Sequence, residues 1–173
     1  MKIFLILIDK YEDRNGPNHD VGAVTNAYKS VDEATEVYTK WRDAVRSQDS
    51  EMHWDFAIVR KDIPLFNGIP WKDRVWSVVV TTNFDLNVPG SDPSHRLFST
   101  KILSSVEMAE NILADLVNRP QFHIDECITK VVKRHDYDAE LSDDTGTKRC
   151  WAKIVPFTIP DIDQIGWEKE VVL

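Results

Sequence analysis

The sequence predicts an α+β fold built from two tandem modules, each with two strands, an amphipathic helix and a third strand. Three observations support this prediction: an internal repeat with an offset of 75 residues, helical spacing of apolar residues within the repeat, and β-branched runs around it. The chain has 173 residues, 42% of them hydrophobic, which is enough for a buried core. We therefore expect antiparallel sheet covered by two helices.

Two helices are predicted from the segments that repeat. SVDEATEVYTKW, which starts at Ser30, matches SVEMAENILADL, which starts at Ser105, and in both segments the apolar residues recur every three or four positions. This spacing places the apolar side chains on one face of a helix. Ser30 and Ser104 are each followed three residues later by a glutamate, as in the capping box that begins a helix.

Strands are predicted on both sides of each helix, because runs of β-branched and aromatic residues alternate there with turn residues. The third strand of each module contains the same pattern, His-x-Asp-x-x-Ile, which a duplication explains without any shared chemistry. In the first module we expect Trp54, Phe56 and Ile58 to point to the core. A ferredoxin-like pairing of the modules is one possible arrangement, by analogy only. The predicted strands cover residues 3–8, 23–29 and 53–60 in the first module and 75–82, 97–103 and 123–132 in the second.

Composition divides the chain into segments. Modules of about 65 residues are marginally stable alone, so we expect the two to share one compact unit. The offset of 75 also aligns Ile3, Phe4 and Leu5 with the strand Val78 to Val80. The segments are the first module (1–61), a linker (62–74), the second module (75–135), an acidic loop (136–149), and a C-terminal strand followed by a docking tail (150–173).

The charge balance limits the class of partner. The chain has 21 Lys and Arg against 29 Asp and Glu, a formal net charge of −8. Such a protein repels nucleic-acid backbones and anionic membranes, so we expect neither as a partner and favour a protein with a basic surface. The N-terminal apolar run is short and stops at Asp9, and no run is long enough to span a bilayer, which predicts a cytoplasmic protein. Cys127 and Cys150 are expected to be reduced and buried.

The leading hypothesis is a non-enzymatic protein that binds or inhibits another protein. Its acidic loop would attract a basic partner surface, and exposed tryptophans would supply binding energy. Small acidic accessory proteins, including those of viruses that infect bacteria, have a similar composition. The predicted partner-binding residues are Asp136, Asp138, Glu140, Asp143, Asp144, Trp71 and Trp167.

Two alternatives stay open. The first is a hydrolase that uses the repeated pairs His53 with Asp55 and His123 with Asp125, either as histidine-based catalysts or as metal ligands together with His19 and His95. The second is a protein that sequesters a small ligand in a groove between the modules. We expect no cofactor, because the chain has no GxxxxGK[ST], GxGxxG, HExxH or CxxC motif.

Overall fold

The structure is a computed structural model that describes residues 2–12, 19–47, 51–63, 65–66, 69–70, 74–84 and 96–159. Its strands and helices confirm the α+β class. No helix in these ranges is long and apolar enough to cross a membrane. In chain order the elements are β1 (Lys2–Tyr11), β2 (His19–Ala23), α1 (Val31–Arg46), β3 (His53–Asp62), β4 (Leu65–Phe66), β5 (Ile69–Pro70), β6 (Arg74–Phe84), β7 (Arg96–Ser99), α2 (Val106–Asn118), α3 (Pro120–His123), β8 (Lys130–Arg134), β9 (Asp138–Ser142) and β10 (Lys148–Thr158).

The strands form two main antiparallel sheets of unequal width. The small sheet has the order β2-β1-β3, and the large sheet has the order β7-β6-β10-β9-β8. The short strands β4 and β5 pair with each other. Two ββα units, β1-β2-α1 and β6-β7-α2, each contribute an edge strand and the interior strand beside it to one of the two main sheets.

The elements stack in four layers: α1, the small sheet, the large sheet and α2. Because side chains alternate along a strand, odd-numbered residues of β1 such as Leu5 and Leu7 face the large sheet, where they meet Val79 and Phe157. Even-numbered residues pack under α1, including Ile6 with Ala34. On the other side of the molecule, α2 covers a separate core of the large sheet. The predicted inward position of Phe56 and Ile58, beneath α1, is confirmed.

The two longer helices, α1 and α2, each begin with a serine cap. The hydroxyl of Ser30 accepts a hydrogen bond from the backbone N–H of Glu33, and that of Ser105 accepts one from the N–H of Met108. These bonds satisfy amides that have no partner within the first turn. The predicted cap at Ser104 was therefore wrong by one residue, and the two caps are 75 residues apart, as the repeat indicates.

The third strand of the second module was predicted wrongly. Residues 119–129 contain the short helix α3 and a turn rather than a strand, and β8 begins only at Lys130. Pro120 occupies the first position of α3, where its missing N–H costs no hydrogen bond. The strand that pairs with β6, as β3 pairs with β1, is β10. The predicted acidic loop contains a strand as well, β9.

The repeat and the backbone pairing use different offsets. Phe4 N–H donates to the carbonyl of Tyr28, and Trp76 N–H donates to that of Leu103, so equivalent residues differ by 72 in the strands and by 75 before the helices. The alignment of Ile3 with Val78 was thus shifted by three residues. Neither the duplication nor a ferredoxin-like pairing is confirmed by this structure.

Candidate functional site

A groove lies where the large sheet extends beyond the small one. The small sheet packs against β7, β6 and β10, with Lys153 of β10 bound to Asp20 of β2 at 3.0 Å. Strands β9 and β8 continue past the edge strand β2, and above them is a space of about 420 Å³. We call this space the overhang groove; its floor and walls include Asp20, Val21, Lys133, Asp138, Glu140, Trp151 and Lys153.

Strand alternation explains why the floor of the overhang groove is polar. Asp138 and Glu140 lie opposite Lys153 and Trp151 in the ladder, so all four share the face that looks toward the small sheet. The residues between them on β9, such as Ala139, pack under α2. The face of β9 that α2 covers is thus apolar. The opposite face, which the small sheet does not cover, is charged.

The charges of the groove are of both signs and partly paired. Three lysines and four carboxylates line it. Lys153 is paired with Asp20, and Arg149 beside the groove binds Glu140 at 3.3 Å. The Lys153–Asp20 pair is largely exposed and contributes at most about 1 kcal/mol to folding, whereas the Arg149–Glu140 pair is more buried. The groove can therefore exchange the Lys153–Asp20 pair for contacts with a bound charged group at small cost.

Trp151 forms part of the groove and carries a buried polar atom without a partner. Its ring stacks on His19 with 4.0 Å between centroids. Its Nε1–H is buried and makes no hydrogen bond, one of two such side-chain atoms among the described residues. Leaving a buried donor unsatisfied costs about 1 to 3 kcal/mol, and unsatisfied groups of this kind concentrate at functional sites.

Behind Trp151, a buried carboxylate joins the two sheets. Asp9 of β1 is fully buried and accepts hydrogen bonds from Nδ1 of His19 at 2.9 Å and from Oγ1 of Thr81, on β6, at 3.0 Å. The side chains of Asp9 and His19 are both completely enclosed. A buried carboxylate requires such donors to offset its lost hydration. This cluster therefore connects β1, β2 and β6 by side-chain bonds.

Tyr11 brings three of the residues predicted as a site into one neighbourhood. Its ring stacks on His19 at 5.0 Å and on His53 at 5.7 Å, and its hydroxyl donates to Asp55 at 3.0 Å. The histidines and the carboxylate thus meet around a phenol ring. Among the residues that the structure describes, no group of three or more His, Cys, Asp or Glu side chains is placed to hold a metal ion.

The second His-x-Asp pair is in different surroundings. His123 lies at the end of α3, where its Nε2 is 2.7 Å from a carboxylate oxygen of Asp115. Asp125 accepts from the backbone N–H of Cys127 and from Lys148. Burial raises the pKa of Asp125, but these donors outweigh it, so that its pKa lies below the usual value. The two residues have structural partners and do not share a strand. His95 is outside the described residues.

The five acidic residues predicted to bind a partner have separate positions. Asp138 and Glu140 line the overhang groove. Asp143 is buried and accepts from the hydroxyls of Thr145 and Thr147, so it stabilises the turn before β10. The other two, Asp136 and Asp144, are exposed outside the groove lining. The predicted tryptophans Trp71 and Trp167 fall outside the described residues.

Several groove residues were not among the predicted site residues. Trp151, Lys153 and Lys133 reach the groove because of strand pairings between distant segments, which local sequence does not reveal. The one available signal was Lys153, a charged residue inside the otherwise apolar run of β10. A charge within such a run indicates a strand face that is not fully covered.

Comparisons with models of protein families, with curated proteins and with solved structures gave no match to this chain.

Proposed function

We propose that this is a non-enzymatic protein-binding protein and that its partner occupies the overhang groove. The observation that carries the proposal is the width difference between the sheets, which leaves a charged floor and an edge strand side by side. Binding sites commonly lie in such clefts between packed units.

Electrostatics supports a partner segment that carries positive charge. The groove has one more carboxylate than lysine, and the whole chain has a net charge of −8. Lys153 and Asp20 are paired with each other. Asp138 lies on the face of the large sheet that forms the groove floor. A basic segment would therefore be attracted over a long range and held by Asp138 and Glu140 at short range.

A small ligand is a second candidate for the same groove. Its volume of about 420 Å³ falls within the usual range of small-ligand sites, and the Trp151 ring forms part of its wall. The mixed charges would suit a zwitterion better than an apolar compound. Binding of amino acids or other zwitterions with no binding of basic peptides would favour this candidate.

The hydrolase hypothesis has one favourable observation. The carboxylate of Asp9 holds Nδ1 of His19, an arrangement that in many enzymes orients a histidine as a general base. However, the His19 side chain is completely enclosed, and its ring stacks on those of Trp151 and Tyr11. A substrate could reach it only after the surrounding side chains moved, so we rank this function below binding.

A display experiment tests the proposal. Random twelve-residue peptides on phage would be selected on the wild-type protein, and the enriched peptides synthesised. In the variant with Asp138→Asn and Glu140→Gln, which keeps the side-chain shapes, we expect affinity to fall about tenfold, as for loss of two partly exposed charge contacts.

The matched control carries Asp136→Asn and Asp144→Asn. It has the same net charge as the groove variant but changes carboxylates outside the groove lining. We expect it to bind as tightly as wild type at physiological salt. Equal affinity of both variants, or enrichment of no peptide at all, would contradict the proposal.

A further inference from the structure

We infer that the bound segment is an extended strand that pairs with the open edge of β2. This inference rests on the proposed function, because it describes how the partner occupies the overhang groove. Strand β2 is the last strand of the small sheet on the groove side, and no described strand pairs with its other edge. It forms one wall of the groove through Asp20 and Val21.

The pairing register shows which backbone groups of β2 face the groove. Val24 N–H donates to the carbonyl of Ile6, so this pair is hydrogen-bonded. In an antiparallel ladder, hydrogen-bonded and non-hydrogen-bonded pairs alternate. Asp20 and Gly22 therefore bond to β1, whereas the N–H and C=O groups of Val21 and Ala23 point away from it, toward the groove.

The open edge has a defined end. After β2 the chain turns to the large sheet: Ala27 N–H donates to the carbonyl of Thr158, and Thr158 N–H donates to that of Thr25. Thr25 and Ala27 are thus already engaged by the last residue of β10. The five residues of β2 offer an edge of about 17 Å, enough for a short strand.

A comparison with the other edge beside the groove supports this assignment. Strand β8 carries Lys130, Lys133 and Arg134 and has a register shift between Val131 and Lys133. Lysines and bulges on an edge are features that prevent another strand from pairing there. In contrast, β2 contains no lysine or arginine and has a regular register along all five residues.

The floor defines the sequence that such a strand would carry. Side chains of an added strand alternate between the floor and the solvent. Those that point down would lie above Asp138, Glu140 and Trp151. We therefore expect lysine or arginine at alternate positions of the strand, facing these two carboxylates.

The test uses the groove-dependent peptide from the display selection and a series with one N-methyl group at each backbone nitrogen in turn. Strand pairing predicts an alternating pattern: methylation of nitrogens that face β2 weakens binding about tenfold or more, because the hydrogen bond is lost and the methyl group clashes. Methylation of the intervening nitrogens is expected to change affinity less than about threefold.

Amide hydrogen exchange gives a second readout without any variant of the protein. On addition of the unmodified peptide, the amides of Val21 and Ala23 should exchange more slowly, while Asp20 and Gly22 stay unchanged because β1 already protects them. Groove-dependent binding without either alternation would overturn strand pairing and leave the proposed function intact. Absence of groove-dependent binding would overturn both.

Discussion

The small and large sheets begin with the same arrangement of two strands and a helix, but they differ in what completes them. In the small sheet the strand that follows α1, β3, pairs directly with β1. In the large sheet the corresponding place beside β6 is taken by β10, which follows the hairpin β8-β9 in the chain. The hairpin widens only one sheet, and this inequality creates the overhang groove. The candidate site thus depends on the hairpin β8-β9, which extends the large sheet beyond β2.

The largest effect is expected from a substitution that removes the side-chain hydrogen bonds between the two sheets. Asp9→Ala removes the carboxylate that His19 and Thr81 share and leaves two buried donors unsatisfied at about 1 to 3 kcal/mol each, so we expect the free energy of unfolding to fall by about 4 kcal/mol. Urea denaturation followed by far-UV circular dichroism measures this loss.

Two further variants calibrate that result. Thr81→Val removes one donor and should cost about 1 to 3 kcal/mol, which keeps the test available if Asp9→Ala does not fold. Asp20→Ala removes an exposed carboxylate from the neighbouring strand and should cost less than about 1 kcal/mol. Equal losses for Asp9→Ala and Asp20→Ala would show that the buried cluster does not hold the sheets together.

The second prediction sharpens the comparison between the two helices. Leu113 of α2 is fully buried, whereas Tyr38, at the same place in α1, is only partly buried. Leu113→Ala should lower the free energy of unfolding by about 3 kcal/mol through lost burial and a cavity. Tyr38→Ala, measured by the same urea titration, should cost clearly less. The reverse order would mean that the small sheet is the better-packed half.

The third prediction concerns the turn that supports the groove floor. Burial raises the pKa of Asp143, but hydrogen bonds from Thr147, Thr145 and the backbone outweigh it, so that its pKa lies below the usual value. Asp143→Ala should therefore cost about 1 to 2 kcal/mol at pH 7. Since a lowered carboxyl pKa stabilises the fold above the unfolded value near 4, the difference from wild type should shrink as the pH falls below about 4. Thermal unfolding at pH 7 and pH 3 measures it; a difference that stays constant would contradict the assignment.

The smallest effect is expected in the labelling rates of the two cysteine thiols. Cys150 is buried under α2, and burial raises the pKa of its thiol, whereas Cys127 is exposed, contrary to the sequence-based expectation. A thiolate-specific reagent should therefore label one equivalent quickly in the native protein and the second only on unfolding. Cys127→Ser should remove the fast phase. Two fast equivalents in the native protein would contradict the burial of β10 under α2.

Local patterns were sufficient to predict the α+β class, both helices and the inward face of β3. Apolar spacing and serine caps act within a few residues, so they are readable in the sequence. Pairing of β10 with β6 joins residues about seventy positions apart, and local propensity does not determine such pairings. His123 was expected in a strand because the pattern His-x-Asp-x-x-Ile recurs there, although Pro120 in fact begins a helix.

The candidate site was only partly predictable for the same reason. Asp138 and Glu140 were proposed to bind a partner, and they do line the groove, but as residues of a strand rather than of a loop. Trp151 and Lys133 join them only through the ladders of β9 with β10 and with β8. Sequence shows which residues are charged, whereas the unequal widths of the sheets decide which of these charges share a cleft.

The chain segment after β2 has a mechanical consequence. Thr25 and Ala27 fasten one corner of the sandwich to Thr158, and the Asp9 cluster fastens the other end of β2 to β6. Sheets fixed at two points along the same strand resist sliding past each other. We therefore expect the cleft to have the same width with and without a ligand. A ligand would then bind a preorganised site, without the entropic cost of ordering the two sheets.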